Sequence, residues 1–398
     1  MNSLRILITL FTISLIYSCG SKPVIVELNL KNNLNKDRLN ETIEINLNQL
    51  QKLLSIYSPE QIVLRDENNE QILLSQLVDL DGDGVFDQLI FQSDFKPNEQ
   101  KHFHIGGIEG EVGVPQPAIS TYARFVPERI DDFAWENDKV AFRTYGPTAQ
   151  AITESGKPGG TLSSGIDCWL KKVDYPIIDK WYRQDLSEGK SYHEDHGEGL
   201  DNYHVGPSRG TGGTGIWEDG VLLTSKNYQG WKMIANGPIR TIFELDYGTW
   251  DAGNITVNEV KRISIDLGSN LYKNTLLLSN YKELPNITLG VTLHEKIGEV
   301  KADEGQGWFR YWEPHEGSEL STAIVVDPSL IVEFIDHRVE EKDLSNLLVV
   351  CTPKAECSYY AGFAWKESNQ FNLPSGFDNY LADFAQRIAS PIVIEIQE

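Results

Sequence analysis

The feature that most constrains this chain is the repetition of short period-two segments between polar or glycine-rich turns. Residues 42–47, 61–65, 71–77 and 85–91 read this way, and so do 140–143, 240–247, 256–267, 274–278, 287–294 and 323–326. In 256–267 the alternation runs through Val257, Ile263, Ile265 and Leu267. Successive side chains of a strand point to opposite faces, so segments of this kind bury one side of a sheet. Helical spacing is scarce. It occurs at 379–388, where Leu381, Phe384 and Ile388 repeat, before Ser390-Pro391 stops the helix and a last strand is expected at 392–396. The pattern predicts an all-β protein. Residues 106–120, rich in glycine and proline and lacking either period, place a boundary between two domains. A small N-terminal β-sandwich is expected over 19–115 and a large antiparallel two-sheet domain over 116–398.

Residues 1–18 carry Arg5 and then an apolar run over 6–17, too short to cross a bilayer and of the length of a signal-peptide core. The run ends at Cys19-Gly20 and resembles the bacterial lipobox, which predicts lipidation of Cys19; an ordinary signal peptide with a chance cysteine is the alternative. No other stretch is apolar enough to span, so a lipid on Cys19 is the only membrane attachment expected. The lack of acidic residues directly behind it favours the periplasmic face of an outer membrane, with surface display left open. The 58 acidic against 35 basic residues, a net charge of −23, exclude a general nucleic-acid binder. An anionic ligand then requires a local cluster of arginines. An oxidising compartment permits a Cys351–Cys357 bridge; the alternative is that these and Cys168 are buried thiols.

Four constellations can carry chemistry. Asp79, Asp81, Asp83 and Asp87 occupy the first positions of a calcium-type loop, with Ile90 where the bidentate glutamate belongs. The readings are a structural calcium site or a plain hairpin turn. The stretch 191–217, expected to be a long loop, holds Tyr192, His193, Asp195, His196, Tyr203, His204 and Arg209 among seven glycines. It reads as an active-site loop supplying acid/base groups, as a metal site of His193, Asp195, His196 and His204, or as a solvated loop. In 140–145, Arg143 and Tyr145 share a strand face and can clamp a carboxylate or form a surface ion pair. Trp308, Phe309, Arg310, Tyr311 and Trp312 offer rings and a charge for stacking on a sugar, or pack in the core. His294 and His337 sit in apolar or strand-like contexts and read as structural.

The lipobox, the loop from Asp79, the block 131–147, the block 192–213 and NGPIRTIFELDY at 236–247 together resemble one family. It comprises secreted lipoproteins of polysaccharide-degrading bacteria, long catalogued as a domain of unknown function. One branch acts as an ulvan-oligosaccharide dehydratase. The resemblance implies a large supersandwich of the galactose-mutarotase type behind the small sandwich. It also implies removal of water from a non-reducing-end glucuronic or iduronic acid, giving a 4,5-unsaturated uronate, with an anionic oligosaccharide as partner and no cofactor required. The proton at C5 is weakly acidic while the neighbouring carboxylate is charged, so Arg143 or Arg209 is expected on that carboxylate. His193 or His204 is expected as base, and Tyr203 or another histidine as acid at the leaving 4-hydroxyl. Tyr145, Trp308, Arg310, Tyr311 and Trp312 complete the expected substrate contacts. A glycoside hydrolase or polysaccharide lyase on the same scaffold, and a non-catalytic glycan-binding lipoprotein, are the alternatives.

Overall fold

A computed structural model describes residues 24–109 and 115–397. The expected signal segment, residues 1–18, and Cys19 lie outside them. The described chain is all-β in architecture, with five sheets and few helices, and among the described residues no helix is long and apolar enough to cross a membrane.

The small sandwich packs the sheet Val393–Gln397, Ile25–Lys31, Gln100–Gly107, Ile62–Asp66 on the sheet Arg38–Asn46, Gln88–Phe95, Ser75–Val78. Alternation decides the inner faces: Leu28, Leu30, Ile43, Ile45, Leu89, Phe91, Phe103 and Ile105 fill the space between them. The strand Val393–Gln397 pairs antiparallel with Ile25–Lys31. The domain expected over 116–398 therefore gives its last strand back to the N-terminal sandwich. The helix Pro374–Ala389 ends in time for Ser390 and Pro391 to release the chain toward that edge. The two domains meet where Gln76 binds the backbone of Ile239 and Arg240 through both ends of its amide.

The large domain is a two-layer supersandwich. One layer is an eight-stranded antiparallel sheet running from Gly230–Asn236 through Arg240–Ala252, Ile255–Asp266, Leu271–Leu278, Glu356–Trp365, Ser318–Val326 and Trp308–His315 to Glu299–Asp303. The other consists of two five-stranded sheets. The first orders Gly199–Leu200, Asp167–Lys171, Ala141–Thr144, Asp132–Glu136 and Tyr122–Val126; the second orders Val221–Leu223, Thr211–Glu218, Ile287–Thr292, Asn346–Cys351 and Ile331–His337. Residues of all three sheets share one core, among them Phe133, Phe142, Leu289, Val349, Phe243 and Tyr272. A parallel bridge, Ile166 to Gly210, joins the two five-stranded sheets. Gly210 has φ 57, and a Cβ there would lie 2.0 Å from the Ile166 carbonyl oxygen, so only glycine fits.

The stretch expected to be a loop over 191–217 is a loop only in its first part. Thr211–Glu218 is a strand inside the sandwich. Its glycines hide the strand signal because they lack side chains to alternate. Gly212 in particular lets the layers approach, since a Cβ there would meet the Ala361 methyl at 2.4 Å.

Candidate active-site cleft

Arg143 lies on the central strand of the first five-stranded sheet, directly across from Asp167. The pleat splits this sheet cleanly. Phe133, Phe142, Cys168 and Leu170 enter the main core, whereas Ala134, Ala141 and Trp169 turn outward under Trp181, Tyr182 and Tyr192. Arg143 shares the outward face. Its Nε and one amino group donate to Asp167 Oδ2 at 3.0 and 2.6 Å, and that amino group also donates to Asp201 Oδ2 at 2.7 Å. The other amino group donates to Tyr192 Oη at 3.1 Å and lies 3.5 Å from Asp132 Oδ2. Tyr145, Trp169 and Tyr192 surround the guanidinium, 5.3 to 5.5 Å from it. Tyr145 donates to Asp167 at 3.1 Å.

Three carboxylates thus converge on one buried cation. Burial pushes the Asp132 carboxyl up to about 6, against the pull of Arg143 and Arg129. Burial also raises Asp167, and raises Asp201 well above the usual range with help from the Asp167 charge. Like charges gathered in the interior favour proton retention. Arg143 is saturated by protein partners, which argues against the expected role of a substrate clamp; it organises the floor of the site.

Above it opens a cleft of about 690 Å³ lined by Arg129, Arg143, Tyr145, His193, residues 201–207 and the turn 160–162. The structure therefore gathers His193, Tyr203, His204, Arg143 and Tyr145, all named from sequence, around one space. His193 is more than half exposed, and its Nδ1 donates to the Asp201 carbonyl at 2.6 Å. With that proton fixed on Nδ1, the neutral ring keeps its lone pair on Nε2. His204 Nε2 pairs with Asp343 Oδ1 at 3.0 Å. Tyr203 is buried, with its hydroxyl 3.4 Å from Thr211 Oγ1, and burial holds its proton well above the usual range. Arg129, missed in the sequence, lines the same cleft. Its Nε donates to Tyr192 Oη at 3.1 Å. It belongs to the same stretch as Arg143 but sits in the short turn Pro127–Arg129, which carries no strand period.

Several expected contacts do not belong to the cleft. Arg209 is sealed in the interior, donating to Ser164 Oγ and the carbonyls of Thr214 and Pro207, and burial lowers it to about 10. Trp308, Arg310, Tyr311 and Trp312 form no sugar platform. Their strand is covered on both faces: Phe309 and Tyr311 enter the main core, while Trp308 and Trp312 pack under Phe377 and Leu381 of the C-terminal helix. Arg310 is tied to Asp378 and Glu299. The histidine set suggested as a metal site is dispersed. Asp195 caps Gly197 and Gly199 and pairs with Lys172, while His196 faces the Ser191 carbonyl. The sulfurs of Cys168, Cys351 and Cys357 are free and buried, so the Cys351–Cys357 bridge is not formed.

Two groups among the described residues have the composition of a metal site. One joins Asp79, Asp81 and Asp87 without Asp83, whose carboxylate instead accepts from the Val85 amide. The other, formed by His294, Glu313 and His315, sits behind residues 202–204. Burial, reinforced by His294, holds the His315 ring below the ordinary histidine range.

The family described as "Domain of unknown function (DUF4861)" matches residues 30–394, nearly all of the described chain. The chain belongs to this family. It is 44% identical over 372 residues to "Uncharacterized protein P7" of Formosa agariphila, covering 93% of each chain. Solved structures that resemble it more distantly include an alpha-mannosidase from Enterococcus faecalis V583, at 10% identity and a TM-score of 0.46, covering 94% of this chain and 46% of that one. A glycosyl hydrolase family 38 protein from Enterococcus faecalis stands at 10% identity and 0.47, covering 94% and 47%. The chain thus spans less than half the length of these two structures.

Proposed function

We propose that this protein is an oligosaccharide dehydratase that removes water from a non-reducing-end uronic acid and leaves a 4,5-unsaturated uronate. The observation that carries the reading is the lining of the cleft. Among the described residues that line it, a histidine with a fixed tautomer, a second histidine, two tyrosines and two arginines accompany a single carboxyl group, Asp201. A glycosidase of the usual kind needs two carboxyl groups flanking the bond. Among the described residues Asp201 alone of the three acids bound to Arg143 reaches the cleft lining, while Asp132 and Asp167 lie beneath it, so no pair of carboxyl groups flanks the space.

Each residue then has a task. Arg129 neutralises the substrate carboxylate and so acidifies the C5 proton. His193 Nε2 removes that proton, and the developing imidazolium is stabilised by the Asp201 carbonyl on Nδ1 and by the acidic cluster beneath. The electron pair released at C5 forms the C4–C5 double bond, and the 4-hydroxyl leaves as water after protonation by Tyr203, His204 or Asp201. Arg143 holds Asp201 and, through Tyr192, Arg129. A lipid on Cys19 would keep the enzyme at the outer membrane, on the periplasmic side, where oligosaccharides arrive; Cys19→Ala should move it to the soluble fraction. A calcium ion at Asp79, Asp81 and Asp87 would be structural, since that loop belongs to the small sandwich; calcium should then raise the melting temperature without changing turnover.

The test is mass spectrometry of uronate-capped oligosaccharides incubated with the pure protein. The expected product has lost one water at unchanged chain length and gains the ultraviolet absorbance of an unsaturated uronate. Shortened products point to a hydrolase or lyase, and binding without product points to a glycan-binding role.

A further inference from the structure

The group His294, Glu313 and His315 takes no part in the chemistry above, yet it is built like a site. A ring nitrogen of each histidine and a carboxylate oxygen of Glu313 lie within 4.8 Å of one another. Glu313 is 2% exposed, and its Oε2 has no hydrogen-bond partner. A bare carboxylate oxygen in the interior is costly, and the other oxygen of the same group already faces an imidazole ring, so the group as a whole asks for a cation. His294 is already oriented: Nε2 donates to the His204 carbonyl at 2.8 Å, so its neutral ring presents the Nδ1 lone pair, which faces Glu313 Oε1 at 2.5 Å. His315 Nε2 lies 3.1 Å from Asn202 Oδ1. A second hydrogen bond that fixes the tautomer is the support metal-binding histidines have.

We propose that His294, Glu313 and His315 bind a divalent transition metal, with zinc the best match. Two imidazoles and one carboxylate are a donor set zinc favours, whereas calcium and magnesium select oxygen ligands. Zinc bonds of about 2.0–2.2 Å set neighbouring ligand atoms roughly 3.3 Å apart. The metal therefore enters between His294 Nδ1 and Glu313 by spreading their contact less than an ångström.

The location gives the metal a purpose. Glu313 and His315 are two apart on the strand Trp308–His315 of the eight-stranded sheet, so they share a face. His294 follows the strand Ile287–Thr292 of the opposite layer. The ion clips the ends of the two layers together. It also holds one wall of the cleft: the His204 carbonyl and the Asn202 side chain bind two of its ligands, and the Tyr203 ring stands edge-on to His294 with centroids 4.5 Å apart. The three ligands are positioning residues for segment 202–204.

The test uses the full chain without substrate, so its outcome is independent of the dehydratase reading. Chelator-treated protein is titrated with zinc chloride alone by calorimetry, and its melting temperature is measured before and after. One zinc per chain and a raised melting temperature are expected. Glu313→Gln and His315→Ala should each lose at least about tenfold in affinity, while His196→Ala, an exposed ring, should bind as the parent does. Cobalt(II) in the parent protein should give the intense visible bands of a four- or five-coordinate nitrogen–oxygen site. That spectrum decides the matter if a variant does not fold. Absence of stoichiometric zinc, equal binding by folded variants, or the weak spectrum of an all-oxygen octahedral cobalt site overturns the proposal.

Discussion

Two stretches of this chain gather aromatic, charged and histidine residues, and the fold uses them in opposite ways. Residues 191–207 keep to the sheet only at Gly199–Leu200, close back on themselves through the Asp201 amide and the Tyr192 carbonyl, and bring His193 and 201–207 to the cleft. Residues 308–315 stay in a sheet covered on both faces, so their rings become core. Density of chemically capable residues therefore does not mark a site. What marks it is whether the backbone departs from the ladder and leaves side chains facing open space. The second stretch still contributes to the site from behind, where its end meets the other layer at Glu313 and His315.

The largest expected effect lies in the first stretch. His193→Ala should lower kcat by about 10²–10⁴-fold, with a nearly unchanged melting temperature, because the ring is more than half exposed. His196→Ala, three residues further on and bound only to a local carbonyl, should leave both unchanged. Steady-state kinetics beside thermal melts check the pair; equal kinetics for the two variants would remove His193 as the base.

The second stretch should respond in the opposite currency. Trp308→Ala and Trp312→Ala each open a cavity under the C-terminal helix and should cost about 3–5 kcal/mol in denaturant unfolding, with KM of the folded protein unchanged. A raised KM at unaltered stability would restore the sugar-platform role.

Arg129 and Arg143 sharpen the contrast within the cleft itself. Arg129→Lys should lower kcat/KM by about 10–100-fold, the worth of roughly 1.5–3 kcal/mol for a charge-assisted contact, and should barely alter stability. Arg143→Lys should instead unfold more easily, because the buried acids around it lose a two-pronged partner. Kinetics and unfolding curves for both variants separate the roles.

The smallest effect is a difference in pH response. Asp132 titrates at about 6 in the folded protein, above the roughly 3.9 of an unfolded chain. Between these values the folded state holds a proton the unfolded state has released, so stability is greatest at the acid end and declines as pH rises through about 6. Asp167 and Asp201 are raised and act in the same sense. At Asp378 burial is outweighed by hydrogen bonds from Arg310 and Lys301, which lower it, so its contribution is lost as pH falls. Unfolding midpoints across pH 4 to 7 should fall less steeply for Asp132→Asn and rise more steeply with acid in Asp378→Asn. A slope unchanged by Asp132→Asn would mean that the proton resides elsewhere in the cluster.

By itself the sequence determined the all-β class, the presence of a small sandwich ahead of a large one, and the stretch that lines the cleft. Each follows from local periodicity or from its interruption, which a single strand or loop carries within itself. It also pointed to His193, Tyr203 and His204 by their density in one stretch and to Tyr145 by a legible strand face in another, and the fold brings the two to one cleft. Only the tertiary structure decided the rest. Whether Arg143, Arg209 and Arg310 are available depends on acids and carbonyls brought from other strands: Asp167 and Asp201, Ser164 and Pro207, Glu299 and Asp378. The return of Val393–Gln397 to the first sheet, and the meeting of His294 with Glu313 and His315, are likewise pairings between distant segments. No periodicity encodes them, since they arise where two layers close over each other and bury what each alone would leave in water.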